Sequence, residues 1–398
     1  MAKKMDKKSP NVPNLRFPGF EGEWKRYKIC DVLDFFPTNS LSWEQLEYTN
    51  GDNLFNLHYG LIHKELPIQT DLKVCNLPSI KKRFTPKSYT VCEDGDIAFA
   101  DASEDTNDIG KVVEFLNCAG KKIVCGLHTI HGRDKKKMTV TGFKGYAFSS
   151  IAFRNQIKRL AQGTKIFSLS TKNFNESFIS IPSKEEQAKI ADLLYLIDQR
   201  ITTQSKIIED LKLLKSTLRH NIFTDLDNSN VEIKLIKDVL NYEQPTNYII
   251  SNTNYQNDPI LIPVLTANKA FILGYTSDKD GIYNKGNCII FDDFTMDLKY
   301  VDFPFKVKSS AIKILTPRPK VSLKYIFEYL SFLNLVSSNH KRHYISEVES
   351  MPISVPKLYM QNIFANLFSA VDKKIESESN YHNLLLLQKQ YLLNHIFI

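Results

Sequence analysis

The sequence predicts an α+β fold: two mixed α/β domains separated by two long helices that pair as an antiparallel coiled coil, with a pseudo-two-fold relation between the halves. Three observations predict it. The block IPSKEEQAKIADLLYLIDQRITTQSKIIEDLKLLKSTLRHNIF, from Ile181 to Phe223, returns without a gap as VPKLYMQNIFANLFSAVDKKIESESNYHNLLLLQKQYLLNHIF, from Val355 to Phe397, at a constant offset of 174 residues. Each copy carries apolar residues in a heptad pattern, the signature of a coiled-coil seam. Each copy is preceded by a longer segment in which short β-rich runs lead into a helix.

The elements follow in chain order. Residues 1–23 form a charged N-terminal extension without an apolar core, so it reads as no secretory signal. In residues 24–180 the runs YTVCEDGDIAFA (89–100), KVVEFL (111–116) and KKIVCGLHTI (121–130) read as strands broken by Gly, Asp and Asn turns. GYAFSSIAFRNQIKRLAQ (145–162) reads as one helix. Residues 181–223 form the first long helix, opened by Pro182, Ser183, Glu185 and Glu186, whose carboxylates complement free N–H groups in the first turn. Its seam is Leu194, Ile197, Ile201, Ile208 and Leu211, with Gln204 and Lys215 as polar interruptions. TDLDNSN (224–230) reads as the linker.

The second half repeats the order. Residues 231–354 hold strand-like PILIPVL (259–265), GNCIIFDDF (286–294) and SSAIKILTP (309–317), then a helix, SLKYIFEYLSFLN (322–334). KICDVLDF at 28–35 and KLIKDVLNY at 234–242 open the two domains alike. Residues 355–398 form the second long helix. Its seam is Phe368, Val371, Ile375, Leu385 and Leu392, interrupted by Glu378, His382 and Lys389; His382 reads as a register-setting polar residue near Gln204.

Composition narrows the function classes. The chain has 398 residues, 42% hydrophobic and 24% charged, with a net charge of +8 that permits nucleic-acid binding. No apolar run is long enough for a membrane span, and the six cysteines show no paired spacing, so a cytoplasmic protein with reduced thiols is expected. No phosphate-binding loop or glycine-rich cofactor loop is present. His128 and His131 are spaced HxxH, but without a helix or third ligand they read as strand-end residues, and no metal site is expected. The acidic run Glu93, Asp94, Asp96, Asp101, Glu104, Asp105 and Asp108 has turn-like spacing and reads as a loop facing solvent or a partner.

If the basic excess serves DNA, the contacts are expected from basic and hydroxyl residues in loops, since phosphates supply affinity and base edges supply discrimination. They are Lys81, Lys82 and Arg83 between two prolines, Ser103 in the acidic loop, and Arg133 with Lys135, Lys136 and Lys137. In the second half they are Thr295 in FDDFTMD, then Lys299, Lys306, Lys308 and Ser309 among aromatics.

Several stretches carry a resemblance to a known family: LRFPGFEGEW (15–24), EDGDIAFADASEDTNDIGK (93–111), GLHTI (126–130), IPSKEEQAKIADLLYLID (181–198), IPVLTANKAFILGY (262–275) and IIFDDFTMDLKYVDFPFKVKSSAIKIL (289–315). The chain resembles the specificity subunit of Type I restriction-modification enzymes, although Met360 stands where the first copy has Glu186. The resemblance implies a non-catalytic subunit with two target recognition domains that bind a bipartite site in double-stranded DNA. It implies two methyltransferase subunits and restriction-translocase subunits as partners, with S-adenosylmethionine, ATP and Mg²⁺ on those partners rather than on this chain. A stand-alone Type IIG-like nuclease-methyltransferase and a coiled-coil scaffold without a DNA role are the alternatives.

Overall fold

A computed structural model of the chain describes residues 11–48, 53–64, 66–251, 255–266, 271–337 and 342–398. Positions 1–10 of the extension and 267–270 of the IPVLTANKAFILGY stretch lie outside the described residues. The chain divides into two compact units, Met1–Ser205 with Tyr381–Ile398, and Lys206–Asn380. Each half of the long helices therefore belongs to a unit, where the sequence drew the helices as separate segments. Burial is the reason. Ile190, Leu194, Leu392, Ile396 and Phe397 are buried in one core with Trp24, Phe143 and Tyr146, and Phe223 and Phe368 are buried in the other with Tyr325, Tyr329 and Leu330.

The first unit holds a five-stranded sheet in the order Asp34–Phe36, Thr129–Arg133, Ile97–Ala100, Val112–Leu116, Gln69–Asp71. All its pairs are antiparallel except the last. A four-stranded sheet runs Lys122–Cys125, Leu54–Leu57, Ser79–Ile80, Leu46–Glu47. The ribbon of Lys25–Lys28 with Phe178–Ile181 joins the two ends of the domain just before the first long helix. The second unit has a four-stranded antiparallel sheet, Leu240–Glu243, Ile312–Pro317, Cys288–Asp292, Leu298–Val301. Beside it is a three-stranded sheet, Ile272–Thr276, Ile262–Leu265, Lys306–Val307. Ile233–Leu235 pairs with Pro352–Ser354, so this domain too is closed by a ribbon ahead of its long helix.

The long helices are Lys184–Asp227 and Leu358–His395. Within each unit they run antiparallel. In the first, Asp198 pairs with Lys389 at 2.5 Å and Ser205 Oγ with His382 Nε2 at 3.0 Å, so positions rising along one helix meet positions falling along the other. In the second, Lys215 meets Asp372 at 2.6 Å while Phe223 stacks on Phe368 at 6.1 Å. His382 thus bonds to Ser205, one residue beyond the position the heptads suggest, and Gln204 is itself buried. The seam residues Leu194, Ile197, Phe368, Leu385 and Leu392 are buried, and Ile201, Ile208, Leu211, Val371 and Ile375 are half-buried.

The repeat has a structural meaning residue by residue. Gln187 and Gln361 are the same position in the two copies, and both are buried. Gln187 Nε2 donates to the carbonyl of Pro182 at 2.9 Å, and its Oε1 accepts from the Val140 N–H at 2.9 Å. Gln361 Nε2 donates to the carbonyl of Pro356 at 2.8 Å, and its Oε1 accepts from the Ser322 N–H at 2.9 Å. Each glutamine thus fastens the start of a helix to its own domain. Replacing Gln361 by Ala is expected to cost about 1–3 kcal/mol, because buried backbone groups lose their partners. Urea unfolding of the second unit's near-ultraviolet signal checks it. Glu186, which the second copy replaces with Met360, holds Arg16 of the extension in a two-pronged ion pair at 2.8 Å.

Two sequence expectations change. The helix expected over 145–162 is two, Phe143–Ser149 and Ile151–Leu160. Ser150 is extended, and its side chain caps the second by accepting from the Phe153 N–H. Residues 224–227 of the expected linker are helical, because no glycine or proline interrupts them and Asp227 accepts from the Ser354 hydroxyl at 2.7 Å and from Tyr329.

Candidate nucleic-acid interface

In the first unit the strand Thr129–Arg133 runs into a turn that carries the three lysines. Asp134 shapes that turn: one carboxylate oxygen accepts from both the N–H and the hydroxyl of Thr139 at 2.7 Å. Lys137 takes a left-handed φ of 50°, which side chains seldom adopt unless neighbours fix it. Lys135, Lys136 and Lys137 are exposed. Lys135 lies 3.5 Å from Asp34 and over the Phe36 ring, and Lys136 donates to the Asp31 carbonyl at 2.9 Å. Exposed lysines on contacts this weak can exchange them for a phosphate at little cost.

Arg133 behaves differently. Its guanidinium donates to both oxygens of Asp96, at 2.8 and 2.7 Å, and also to Glu93 and the Val91 carbonyl. Burial opposes the charge on Asp96, yet hydrogen bonds from His131 and Arg133 outweigh it and hold that carboxyl below its usual range. Arg133 is therefore engaged inside the domain and is not free for a phosphate, contrary to the sequence expectation. Lys306 departs in the same way. It is 2% exposed, and its ammonium donates to Asp278 at 2.6 Å and to the Asp280 carbonyl.

The remaining candidates stand at the surface. Lys82 and Arg83 are exposed on a short 3₁₀ turn, with Arg83 over the Phe84 ring, while Lys81 is tied to the Glu44 carbonyl at 2.7 Å. Ser103 ends a strand, and its hydroxyl accepts from the Asp105 N–H at 3.1 Å. In the second unit Thr295 is exposed in the turn between Cys288–Asp292 and Leu298–Val301, where Asp292 accepts from its N–H. Lys299 is exposed on the strand Leu298–Val301, and Lys308 and Ser309 are exposed just after the strand Lys306–Val307 of the other sheet.

A further group was not visible in the sequence. Around the acidic loop, Trp43 packs on His58 with ring centroids 4.4 Å apart, His58 on Tyr59 at 4.8 Å, and Tyr59 on His128 at 5.1 Å. His128 Nδ1 meets Asp101 at 3.1 Å, and His63 Nε2 meets the Ala102 carbonyl at 2.9 Å. Burial, with His128 nearby, pulls the His58 imidazole down to about 4. The result is an aromatic wall beside Ser103, with Trp43 42% exposed. Flat rings and a mixed set of donors and acceptors suit stacking and hydrogen bonding to a planar polar ligand such as a base. The wall stayed hidden because its members come from positions 43, 58–63 and 101–128.

Comparisons with known proteins show what the chain as a whole is similar to. A family model described as Type I restriction modification DNA specificity domain matches residues 116–213 and 228–386, more than half of the chain. The specificity subunit of the Type I restriction enzyme EcoR124I/EcoR124II from Escherichia coli is 44% identical over 137 residues, 33% of this chain and 34% of that protein. The match thus spans about a third of that relative's length. The crystal structure of a Type I restriction-modification S subunit from M. genitalium superposes with a TM-score of 0.64 at 16% identity, covering 97% of this chain and 99% of the other. A structure described as the basis of complex assembly and conformational transition of the Type I system gives 0.53 at 13% identity, covering 96% and 98%. At these identities the two structures speak for the fold alone.

Proposed function

The chain belongs to the Type I restriction modification DNA specificity family, and we propose that it is the DNA-reading subunit of such a complex, each unit reading one half of a bipartite site. The observation that carries this reading is the repeat of the mounting with a change in what is mounted. The first domain is closed by a ribbon, fastened by Gln187 and plugged by Phe397, and the second by a ribbon, Gln361 and Phe223, while the sheets and loops they carry differ. Such a design suits two readers that work independently. Lys135, Lys136 and Lys137 supply phosphate contacts in the first unit, with Lys82 and Arg83. Lys299 and Lys308 do so in the second. Ser103 with the aromatic wall, and Thr295 with Ser309, are the candidates for base edges.

Two methyltransferase subunits are the proposed partners on the long helices, with restriction-translocase subunits joining the complex through them. Large apolar side chains remain open on the long helices: Leu196, Leu384 and Leu387 in the first unit, Leu213 and Ile363 in the second, each more than half exposed. Exposed apolar groups in such number suit a protein interface better than water. The chemistry, with S-adenosylmethionine, ATP and Mg²⁺, belongs to those partners, so the chain itself acts by placing them. No helix among the described residues is long and apolar enough to cross a membrane.

Converting Lys135, Lys136 and Lys137 to Ala should weaken binding to all DNA sequences alike. Every phosphate that a lysine no longer neutralises makes the slope of log K against log salt shallower by about 0.9, so the triple variant should be shallower by up to about 2.7. Titrations of the assembled complex at several salt concentrations measure this. An unchanged slope would remove these lysines from the interface.

A further inference from the structure

We infer that Cys92, Cys125 and His131 form a buried binding site for a thiophilic divalent cation, Zn²⁺, inside the first unit. The three side chains are 2%, 3% and 1% exposed, and one potential ligand atom from each lies within 4.8 Å of the others. The two sulfurs are 3.7 Å apart. Two thiolates held at about 2.3 Å from a tetrahedral zinc ion stand about 3.8 Å apart, so the sulfurs already have the required spacing.

The histidine supplies an independent indication. His131 Nε2 meets Asp96 Oδ2 at 2.8 Å, while its Nδ1 is buried without a hydrogen-bond partner. Leaving a buried ring nitrogen unpaired costs free energy. One nitrogen on a carboxylate and the other open is the arrangement in which a metal-bound imidazole is oriented by its neighbour. Asp96 is itself fixed by Arg133, so the orienting group cannot swing away. The charges also balance. Two thiolates neutralise the divalent ion, and Asp96 is neutralised by Arg133, so the buried site carries no net charge. A monovalent soft cation would leave one negative charge uncompensated.

Binding forms two metal–sulfur bonds and one metal–nitrogen bond and releases the two thiol protons to water. One position remains for a water molecule. The bound ion would tie the approach to the strand Ile97–Ala100, the end of Lys122–Cys125 and the middle of Thr129–Arg133 to one point. That point lies just before the turn carrying Lys135–Lys137. The role is structural, and it stands apart from the DNA-reading proposal.

Co²⁺ titration of the reduced full-length chain tests it. One Co²⁺ per chain should bind, with an intense near-ultraviolet thiolate charge-transfer band and visible bands of tetrahedral cobalt, and added Zn²⁺ should bleach both. Cys92→Ser and Cys125→Ser should each abolish the near-ultraviolet band while the far-ultraviolet circular dichroism stays native. Asp96→Asn, which removes the orienting charge, should weaken affinity by about 10–100-fold while keeping the band. The inference is overturned by a folded wild-type chain that gives no thiolate band. A band that survives in either folded cysteine variant overturns it too, as does an intact mass two hydrogens low, which would make the pair a disulfide instead. If one cysteine variant fails to fold, the wild-type titration and the other variant still decide.

Discussion

Replacing Glu328 by Ala is expected to destabilise the second unit by about 3–5 kcal/mol, the range for removing one member of a buried ionic cluster. Glu328 is fully buried on the helix Leu323–Phe332. It accepts from Arg219 at 3.0 and 2.6 Å and lies 3.0 Å from Lys215 and 2.9 Å from Lys324. Asp372 takes the same two lysines at 2.6 Å. The cluster therefore sets three cations against two carboxylates, and losing Glu328 leaves three against one. Burial works against the charge on both acids, but the surrounding cations outweigh it and hold both carboxyls below their ordinary range. Their folded values are depressed, so their contribution is present above the unfolded carboxylate range, about pH 4, and fades as pH falls through the folded values. The wild-type second unit should thus lose stability in acid, and Glu328→Ala should lose less over the same window. Urea unfolding of the full chain at pH 7 and pH 3 measures both effects. A cost under about 1 kcal/mol at pH 7 would mean the cations find other partners.

Truncating the aromatic at the end of either repeat should cost a similar amount, for a different reason. Phe223 is fully buried, with ring centroids 4.9 Å from Tyr329, 5.5 Å from Tyr325 and Phe332, and 6.1 Å from Phe368. Its counterpart Phe397 packs 5.8 Å from Phe143 and 6.3 Å from Trp24. Phe→Ala in a rigid core forfeits both transfer energy and packing, about 3–5 kcal/mol. Phe223→Ala should lower the stability of the second unit, and Phe397→Ala that of the first. Thermal unfolding followed by hydrogen exchange assigns each loss to a unit. Losses confined to the helices would show that these rings serve the coiled coil rather than the domain cores.

The spacer was legible because heptad periodicity is a local signal and a constant offset over so many positions has no other ready source. The offset also marked Gln187 with Gln361 and Phe223 with Phe397, but their purpose appears only where each meets its domain. Charge was the least legible property. Arg133 and Lys306 sit in basic, loop-like sequence, yet each is turned inward onto a carboxylate, Asp96 or Asp278, many residues away. Lys135–Lys137 sit in the same sequence and face outward. Sequence carries the sign of a side chain and not its burial. The same distance hid the aromatic wall of Trp43, His58, Tyr59 and His128. It also hid the sulfur neighbours of His131, since Cys92 and Cys125 come from separate segments.

Modular reading is the claim on which the functional account turns, and exchanging one domain tests it most directly. Residues 24–180 would be replaced by the corresponding domain of a relative with a different site, and methylation mapped genome-wide in cells carrying the partner subunits. The account predicts a new sequence in one half of the methylated site, with the other half and the gap between them unchanged. A chimaera that is folded and active but alters both halves together, or neither, would contradict it.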